Sequence, residues 1–469
     1  MGKIKKKHLL RIGFPASAAC QAALQAMAHE TYARKGRETK LQLLQALLHN
    51  PAAYVQHEVL GETARLLQPE SHDPHAPQKP LLRQEALPIA IYGREGIDQG
   101  ALHQIHVAAK LPVARAVALM PDAHQGFGLP IGGVLATEGA VIPYAVGVDI
   151  GCRMCLTVYD LPTSHLKQHA HALKRALLEH TTFGSGHGPE QPMDDAVLDR
   201  PEFQEISLLR GLHGKAWKQI GSSGSGNHFV EFGELTLTET DPRWQVPTGS
   251  YLALLSHSGS RGLGAGIAQH YTKVAMQTTR LPREAKQLAW LSLDSQAGQE
   301  YWLAMTLAGD YASACHHHIH QRLAKAIGER PLFWVENHHN FAWKEQLADG
   351  TEVIVHRKGA TPAGAGVLGI IPGSMTAPGY LVRGRGAYPS LQSASHGAGR
   401  RMSRTQAKNA ITGHQLRQSL REHEVTLLGG GIDEAPMAYK DIDQVMAHQQ
   451  DLVEVLGSFR PRLVRMAGD

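Results

Sequence analysis

Two patterns of hydrophobic and polar positions divide the chain. In the first part, apolar side chains recur at i, i+3 and i+4, as in "ACQAALQAMAHETYA" and "ETKLQLLQALLHN". That spacing predicts helices over residues 16–67, with Asn50 and Pro51 separating two of them. Residues 68–88, "QPESHDPHAPQKPLLRQEALP", are rich in proline and polar residues and read as a linker. From Ile89 the apolar runs shorten and end in glycine and polar clusters. "AVIPYAVGV" leads into Asp149, "YLALL" into "SHSGSR", and "PLFWV" into "ENHHN". Each run is long enough for one buried strand. Helical periodicity intervenes over 164–180, over 283–328 with a break near Asp310, and over 404–423. No internal repeat is present. The expectation is an α+β fold: a small helical region at 1–67, a linker at 68–88, and a mixed α/β body at 89–469.

Composition adds limits. Of the 469 residues, 42% are hydrophobic, which suits a sizeable core and excludes wholesale disorder. The formal charge of +5 permits a polyanionic partner without demanding one. Four cysteines are too few for a disulfide scaffold, and Cys152-x-x-Cys155 has no second pair at zinc-site spacing. A reduced, cytoplasmic chain is expected. The basic start resembles a signal peptide, but Arg11 and Pro15 interrupt its apolar segment. No run approaches the roughly 18 apolar residues of a membrane helix, so no membrane partner is expected.

The 29 histidines, against 12 tyrosines and 9 phenylalanines, direct attention to metal and phosphate chemistry. Asp149 and Cys152 lie three apart on a glycine turn. By themselves they read more simply as a loop aspartate and a buried free cysteine. His228 follows "GSSGSGN", His257 sits in "SHSGSRG", and His338 and His339 in "ENHHNF". Jointly these loops supply imidazoles, a carboxylate and a thiol, a plausible set for one or two divalent ions; ligand type alone favours zinc. The run "CHHHIHQR", residues 315–322, reads as a solvated helix face, because adjacent helical residues do not converge. The glycine-rich stretch 357–386 is not a Walker A loop, although its backbone and Ser374 suit a nucleotide. In "SASHGAGRRMSR", a helix expected to start near Arg400 would put Gly397 to Gly399 at a positive helix end. Arg400 and Arg404 would then clamp oxygens, with His396 as a nucleophile toward phosphorus.

The ordered motifs "MPDAHQGFGLPIGG", "AVGVDIGC", "GSGNHFVEF", "SHSGSRGLG", "NHHN", "RKGA", "IIPGSM", "SHGAGRRMSR" and "DEAPMAYKDID" resemble those of the RtcB family of RNA-splicing ligases. The resemblance runs from about Met120 to Asp443. It implies GTP- and manganese-dependent joining of RNA 3′-phosphate or 2′,3′-cyclic phosphate ends to 5′-hydroxyl ends. It further implies Asp149, Cys152, His228, His257 and His339 as ligands of two manganese ions, with Cys152 bridging, and His396 as the residue that takes GMP. Asn227, Glu231, Ser374, Gly397, Ala398, Gly399 and Tyr439 resemble the nucleotide pocket; Arg261, Arg400 and Arg404 suit the triphosphate or RNA phosphates. The implied partners are RNA with broken ends, such as tRNA halves, and an activating protein.

Three places depart from the family pattern: Arg153 stands where glycine is common, Cys315-His316 where Asn-Arg is usual, and the chain end, where the family offers a lysine to the guanine, has Arg465 as its last cation. Two other functions draw on the same residues, a silent paralogue that grips RNA ends and a metal phosphohydrolase that opens cyclic phosphates. Covalent GMP on the protein separates the ligase from both.

Overall fold

The computed structural model describes residues 4–14, 18–67 and 82–468. They fall into two compact units, within Met1–Gln78 and Lys79–Asp469. The first is helical, as its periodicity predicts, with helices Ala18–Ala28, Arg37–His49 and Gly61–Leu67. Asn50 ends the second, and Pro51 opens a short 3-10 turn. Leu9, Ala23, Leu44, Leu47, Leu60 and Ala64 make its buried core. Most of the expected linker, 68–81, lies outside the described residues. Its remainder is not free spacer: Leu82, Ala86 and Leu87 pack against the core of the second unit.

The second unit carries two large sheets. One has five strands in the order Ile89–Ile91, Ala114–Phe127, Leu129–Thr137, Glu352–Lys358, Asn340–Gln346. The other runs Leu368–Ile371, Gly379–Gly384, Val453–Met466, Phe229–Leu237, Gly249–Ser258, Arg153–Tyr159, Pro331–His338, and Thr426–Leu428 pairs with Val453–Met466. Its interior is filled by alternate side chains, among them Met154, Leu156, Val158, Leu235, Leu255, Ile370 and Phe459. The opposite face of the same strands is also buried: Tyr159, Leu252 and Leu254 pack against Ile319 and Leu323 of a long helix. Burial on both faces explains why these strands read as continuous apolar runs.

The first and last strands of this sheet are joined by a side chain. The Ile370 amide donates to Asn337 Oδ1 at 2.8 Å, and Asn337 Nδ2 donates to the Ile370 carbonyl at 3.3 Å and to Thr361 Oγ1 at 2.8 Å. A side-chain amide thus stands in for a missing ladder rung.

Three expectations are corrected. "AVIPYAVGV" is not one strand: Ala140–Val141 is a two-residue strand, and Pro143 opens the one-turn helix Pro143–Val146. The helix expected over 283–328 begins only at Gln296, after the short strand Leu291–Ser292, and runs to Ile327 without a break at Asp310. Ser295 caps its start by accepting from the Gly298 amide, and left-handed Gly328 ends it. The helical segment 404–423 is two helices, Arg404–Ala410 and Gly413–Glu422, each opened by its own capping box.

Asn337→Ala should lower unfolding free energy by about 1–3 kcal/mol, because the buried Ile370 amide and carbonyl lose their partner. A shift of the urea midpoint tests this; an unchanged midpoint would show the side-chain seam to be dispensable.

Candidate active site

Strand register gathers the site. Phe229 and Met154 both pair with His257, and Arg153 pairs with His338. Four neighbouring strands therefore bring His228, His257, Cys152 and His339 to one end of the sheet. His339 is the single residue between Pro331–His338 in one sheet and Asn340–Gln346 in the other. The turn that carries Asp149 is pinned to this crossover. The Gly151 amide donates to the Asn340 carbonyl at 2.7 Å, and the His339 amide to the Cys152 carbonyl at 3.0 Å. Gly151 has φ +69°, and a Cβ there would lie 2.8 Å from Gly309 Cα, so no other residue fits this turn.

The five expected ligands converge. Cys152 Sγ lies 3.4 Å from His228 Nε2 and 3.1 Å from His257 Nε2. His228 Nε2 is 2.9 Å from Asp149 Oδ2, and His257 Nε2 is 3.2 Å from His339 Nε2. Around the sulfur, His228 is thus paired with Asp149 and His257 with His339. His257 Nδ1 donates to the Asn227 carbonyl at 3.0 Å, which leaves its Nε2 a bare lone pair aimed at the thiol.

Electrostatics agree with a cation-ready set. Burial, then the charge of His228, brings the His257 pKa down to about 3. Burial, with the charges of His396 and His257, lowers His339 well below the ordinary histidine value. Both rings are therefore neutral near pH 7, the state in which an imidazole can bind a metal. Burial also opposes ionisation of Asp149, but the hydrogen bond and charge of His228 outweigh it and hold the carboxyl below its usual range. Burial and the Asp149 charge push the Cys152 thiol up, and a divalent cation is what reverses such a shift. Cys152, His228 and His257 each present a ligand atom within 4.8 Å of the other two, a grouping able to hold a metal ion.

A cavity of about 300 Å³ opens beside this cluster. It is lined by the five expected ligands and by Asn227, Glu231, Ser374, His396, Gly397, Ala398, Gly399, Arg400, Arg404 and Tyr439. His396 Nδ1 donates to Asp122 Oδ2 at 2.6 Å, and its backbone amide reaches the same oxygen at 3.1 Å. Asp122 is fully buried. His396 Nε2 carries no hydrogen bond among the described residues, and its ring centroid is 5.0 Å from that of His339. Glu231 is buried without a cation beside it, and burial raises its pKa well above the usual carboxyl value. It is suited to a ligand that brings donors.

The expected helix end at Gly397 to Gly399 is absent. The helix starts at Arg404 with Ser403 as its cap, and the glycines form a loop in which Gly399 has φ +73°. The arginines are already engaged. Arg400 Nη1 donates to Glu434 Oε2 at 3.1 Å and to the Tyr439 hydroxyl at 3.3 Å, and its guanidinium lies over the Tyr439 ring. Arg404 donates to Asp433 Oδ2 at 2.7 Å and pairs with Glu434. Arg261 does not line the cavity; it donates to the Gly184 carbonyl at 2.7 Å and to Ser222 Oγ at 3.2 Å. Arg465 points away, to the Leu177 carbonyl and the Phe183 ring, leaving Val464 and Met466 to line the cavity. Arg153 is buried and ties its strand to the long helix, donating to Glu336 at 3.1 Å and to the Gly309 carbonyl at 2.8 Å.

Four residues here escaped the sequence reading: Asp122, His124, Asp433 and Glu434. His124 lines the cavity, its Nδ1 3.2 Å from the Asp122 carbonyl and 3.4 Å from the Arg400 amide, and burial lowers its pKa to about 4. Their only signal was membership of the quoted motifs. The histidine run is also corrected. His316 and His320 are buried rather than solvated, whereas the side chain of His317 is 43% exposed.

The family described as tRNA-splicing ligase RtcB matches residues 104–467. RNA-splicing ligase RtcB of Escherichia coli strain K12 is 36% identical over 411 aligned residues, covering 81% of this chain and 97% of its own length. The RNA-splicing ligase RtcB of Mycobacterium tuberculosis is 32% identical over 429, covering 76% and 98%. The tRNA-splicing ligase RtcB of Nanoarchaeum equitans is 28% identical over 451, covering 80% and 94%. Among the described residues no helix is long and apolar enough to cross a membrane.

The neutral imidazoles make a pH prediction. His124, His257 and His339 all have folded pKa values below 6.5, so the unfolded chain binds more protons as pH falls. Their stabilising effect is complete above about pH 6.5 and is lost as pH falls toward the folded values, about 4 for His124 and about 3 for His257, with His339 also shifted well down. Urea midpoints of the chelator-treated chain should therefore drop from about pH 7 to about pH 5. A flat profile would mean these rings are already protonated in the fold.

Proposed function

The chain belongs to the RtcB family, and from that premise we propose that it is a GTP-dependent RNA ligase that joins 3′-phosphate or 2′,3′-cyclic phosphate ends to 5′-hydroxyl ends through GMP carried on His396. The observation that carries this reading is the His396–Asp122 pair. Asp122 Oδ2 accepts from His396 Nδ1 at 2.6 Å, which fixes the tautomer and presents Nε2 as the free lone pair in the cavity.

His396 Nε2 attacks the α-phosphorus of GTP, the bond to pyrophosphate breaks, and pyrophosphate leaves. Asp122 keeps the imidazole oriented and balances the positive charge that develops on it. A 2′,3′-cyclic end is first opened by water, which breaks the bond from phosphorus to O2′ and leaves a 3′-phosphate and a 2′-hydroxyl; the RNA 3′-phosphate then displaces His396, breaking the P–N bond and leaving GMP joined to the RNA end. The 5′-hydroxyl attacks that RNA phosphate, and GMP departs. Asp149, Cys152, His228, His257 and His339 would hold two manganese ions, which would supply positive charge for the phosphate oxygens and the leaving group.

Glu231, buried and without a cation, accepts from the guanine edge, and Asn227 and Ser374 line the same cavity. Tyr439 offers a face to the base. Gly397, Ala398 and Gly399 let backbone amides approach phosphate. Arg400 and Arg404 serve phosphates while Asp433 and Glu434 hold them in place. Arg261 acts one step back, through the loop at Ser222 and Gly184. The substrate is RNA with broken ends, and the cavity wall at Val464 and Met466 offers the guanine no lysine.

Incubation with labelled GTP and manganese, followed by denaturing electrophoresis, tests the proposal. The wild type should carry an acid-labile, alkali-stable GMP adduct, and His396→Ala none. The same variant should still join RNA whose 3′ end is already activated with GMP. An adduct on lysine, or one that survives His396→Ala, defeats the mechanism. Tyr439→Ala should weaken GTP binding by about 1–3 kcal/mol, the worth of a stacked base, while sparing ligation from enzyme already carrying GMP. Equal loss in both steps would assign Tyr439 a role in the chemistry.

A further inference from the structure

A second group of ligand-type side chains lies on the other face of the large sheet, under the long helix. Cys155, His316 and His320 are buried, and one ligand atom from each lies within 4.8 Å of the other two. None of the three lines the cavity. Cys155 alternates with Met154 and Leu156, which fill the sheet interior, so its thiol faces the helix. His316 and His320 are one helical turn apart and share a side.

The ring nitrogens divide into two sets. His316 Nε2 donates to the Ser258 carbonyl at 3.2 Å, which fixes its Nδ1 as a lone pair, 2.6 Å from Ser256 Oγ. His320 Nδ1 lies 2.6 Å from Thr157 Oγ1, and its Nε2 lies 2.7 Å from the same Ser256 Oγ. One nitrogen of each ring thus converges on a single point, and the other is anchored outward to a carbonyl or a hydroxyl. Metal-bound imidazoles are held in this way. When His320 Nδ1 donates to Thr157, two lone pairs face one Ser256 proton, and a thiol stands beside them. A cation satisfies all three. The opposite tautomer of His320 closes the same atoms into a plain hydrogen-bond chain, so the two arrangements differ by one proton and one ion.

We propose that Cys155, His316 and His320, with the Ser256 hydroxyl, form a structural binding site for a zinc-like divalent cation, separate from the catalytic cavity. One thiolate and two imidazoles select a borderline ion in tetrahedral geometry, and a site whose three residues are all buried and outside the cavity suits a structural rather than a catalytic ion. The ion would fasten the long helix to two strands at once. Cys155 follows Cys152 by three residues and Ser256 immediately precedes His257, so the site braces the strands that carry two of the cavity's ligands. It holds whether or not the chain ligates RNA.

The test uses the full-length chain carrying Cys152→Ala, which removes the cavity thiol. After chelator treatment it is titrated with cobalt(II). The expected result is a tetrahedral visible spectrum with a near-ultraviolet thiolate-to-cobalt band that saturates at one ion per chain and is displaced by zinc. Adding Cys155→Ala should abolish the band, and adding Cys315→Ala should leave it. His320→Gln, which keeps a polar group in place if the cysteine variant fails to fold, should weaken cobalt binding by at least about tenfold. A Cys152→Ala chain with wild-type circular dichroism and no thiolate band overturns the proposal and leaves the hydrogen-bond chain as the sole occupant. A band that survives Cys155→Ala overturns it equally.

Discussion

The antiparallel register among Phe229–Leu237, Gly249–Ser258, Arg153–Tyr159 and Pro331–His338 is the constraint on which the rest depends. A strand repeats every two residues, so a slip of one position would turn every interior side chain outward. Here the same slip would also carry His257 or Cys152 away from its neighbours. Packing and chemistry are therefore specified by one set of hydrogen bonds. The leucines, valines and phenylalanines of the interior hold the register, and the ligands at the strand ends inherit their separation from it.

Charge in the cavity is arranged in layers. Neutral His257 and His339 and a protonated Cys152 thiol stand beside the ionised Asp149, where burial penalises ions and the hydrogen bond from His228 keeps that one charge. Toward the surface, Arg400 and Arg404 are held by Asp433 and Glu434. A guanidinium has five donors in a planar fork, so pairing with a carboxylate positions it without exhausting it. Anchored arginines lose little freedom when a phosphate arrives. Asp122 applies the same economy to His396, because a single carboxylate oxygen fixes both the backbone and the ring.

Much of the site was legible because buried strands ended in polar, ligand-bearing residues at "SHSGSR" and "ENHHN", and apolar runs with such ends are read directly. What the pattern hid follows physical lines. "AVIPYAVGV" is apolar throughout, so its division by Pro143 into a strand and a helical turn leaves no mark on hydrophobicity. Gly309 and Asp310 resemble a helix break, but a long helix packed along a sheet tolerates both. Asp122 lies 274 residues from His396, and no spacing rule connects them. In "CHHHIHQR" the composition is evident but the buried side is not, because that depends on where the neighbouring strands place Ser256 and Thr157.

The seam at Asn337 has a consequence for the sheet as a surface. Two outer strands that meet without a ladder would each leave main-chain groups open to a foreign strand, the usual route to edge-to-edge association. One amide side chain occupies Ile370 from the flank, and Pro331 withholds an amide at the far end of its own strand. The barrel-like curl of the sheet is thereby closed chemically where it is not closed geometrically. Across that line the two strands are held by two hydrogen bonds to one side chain and by no rung of the ladder.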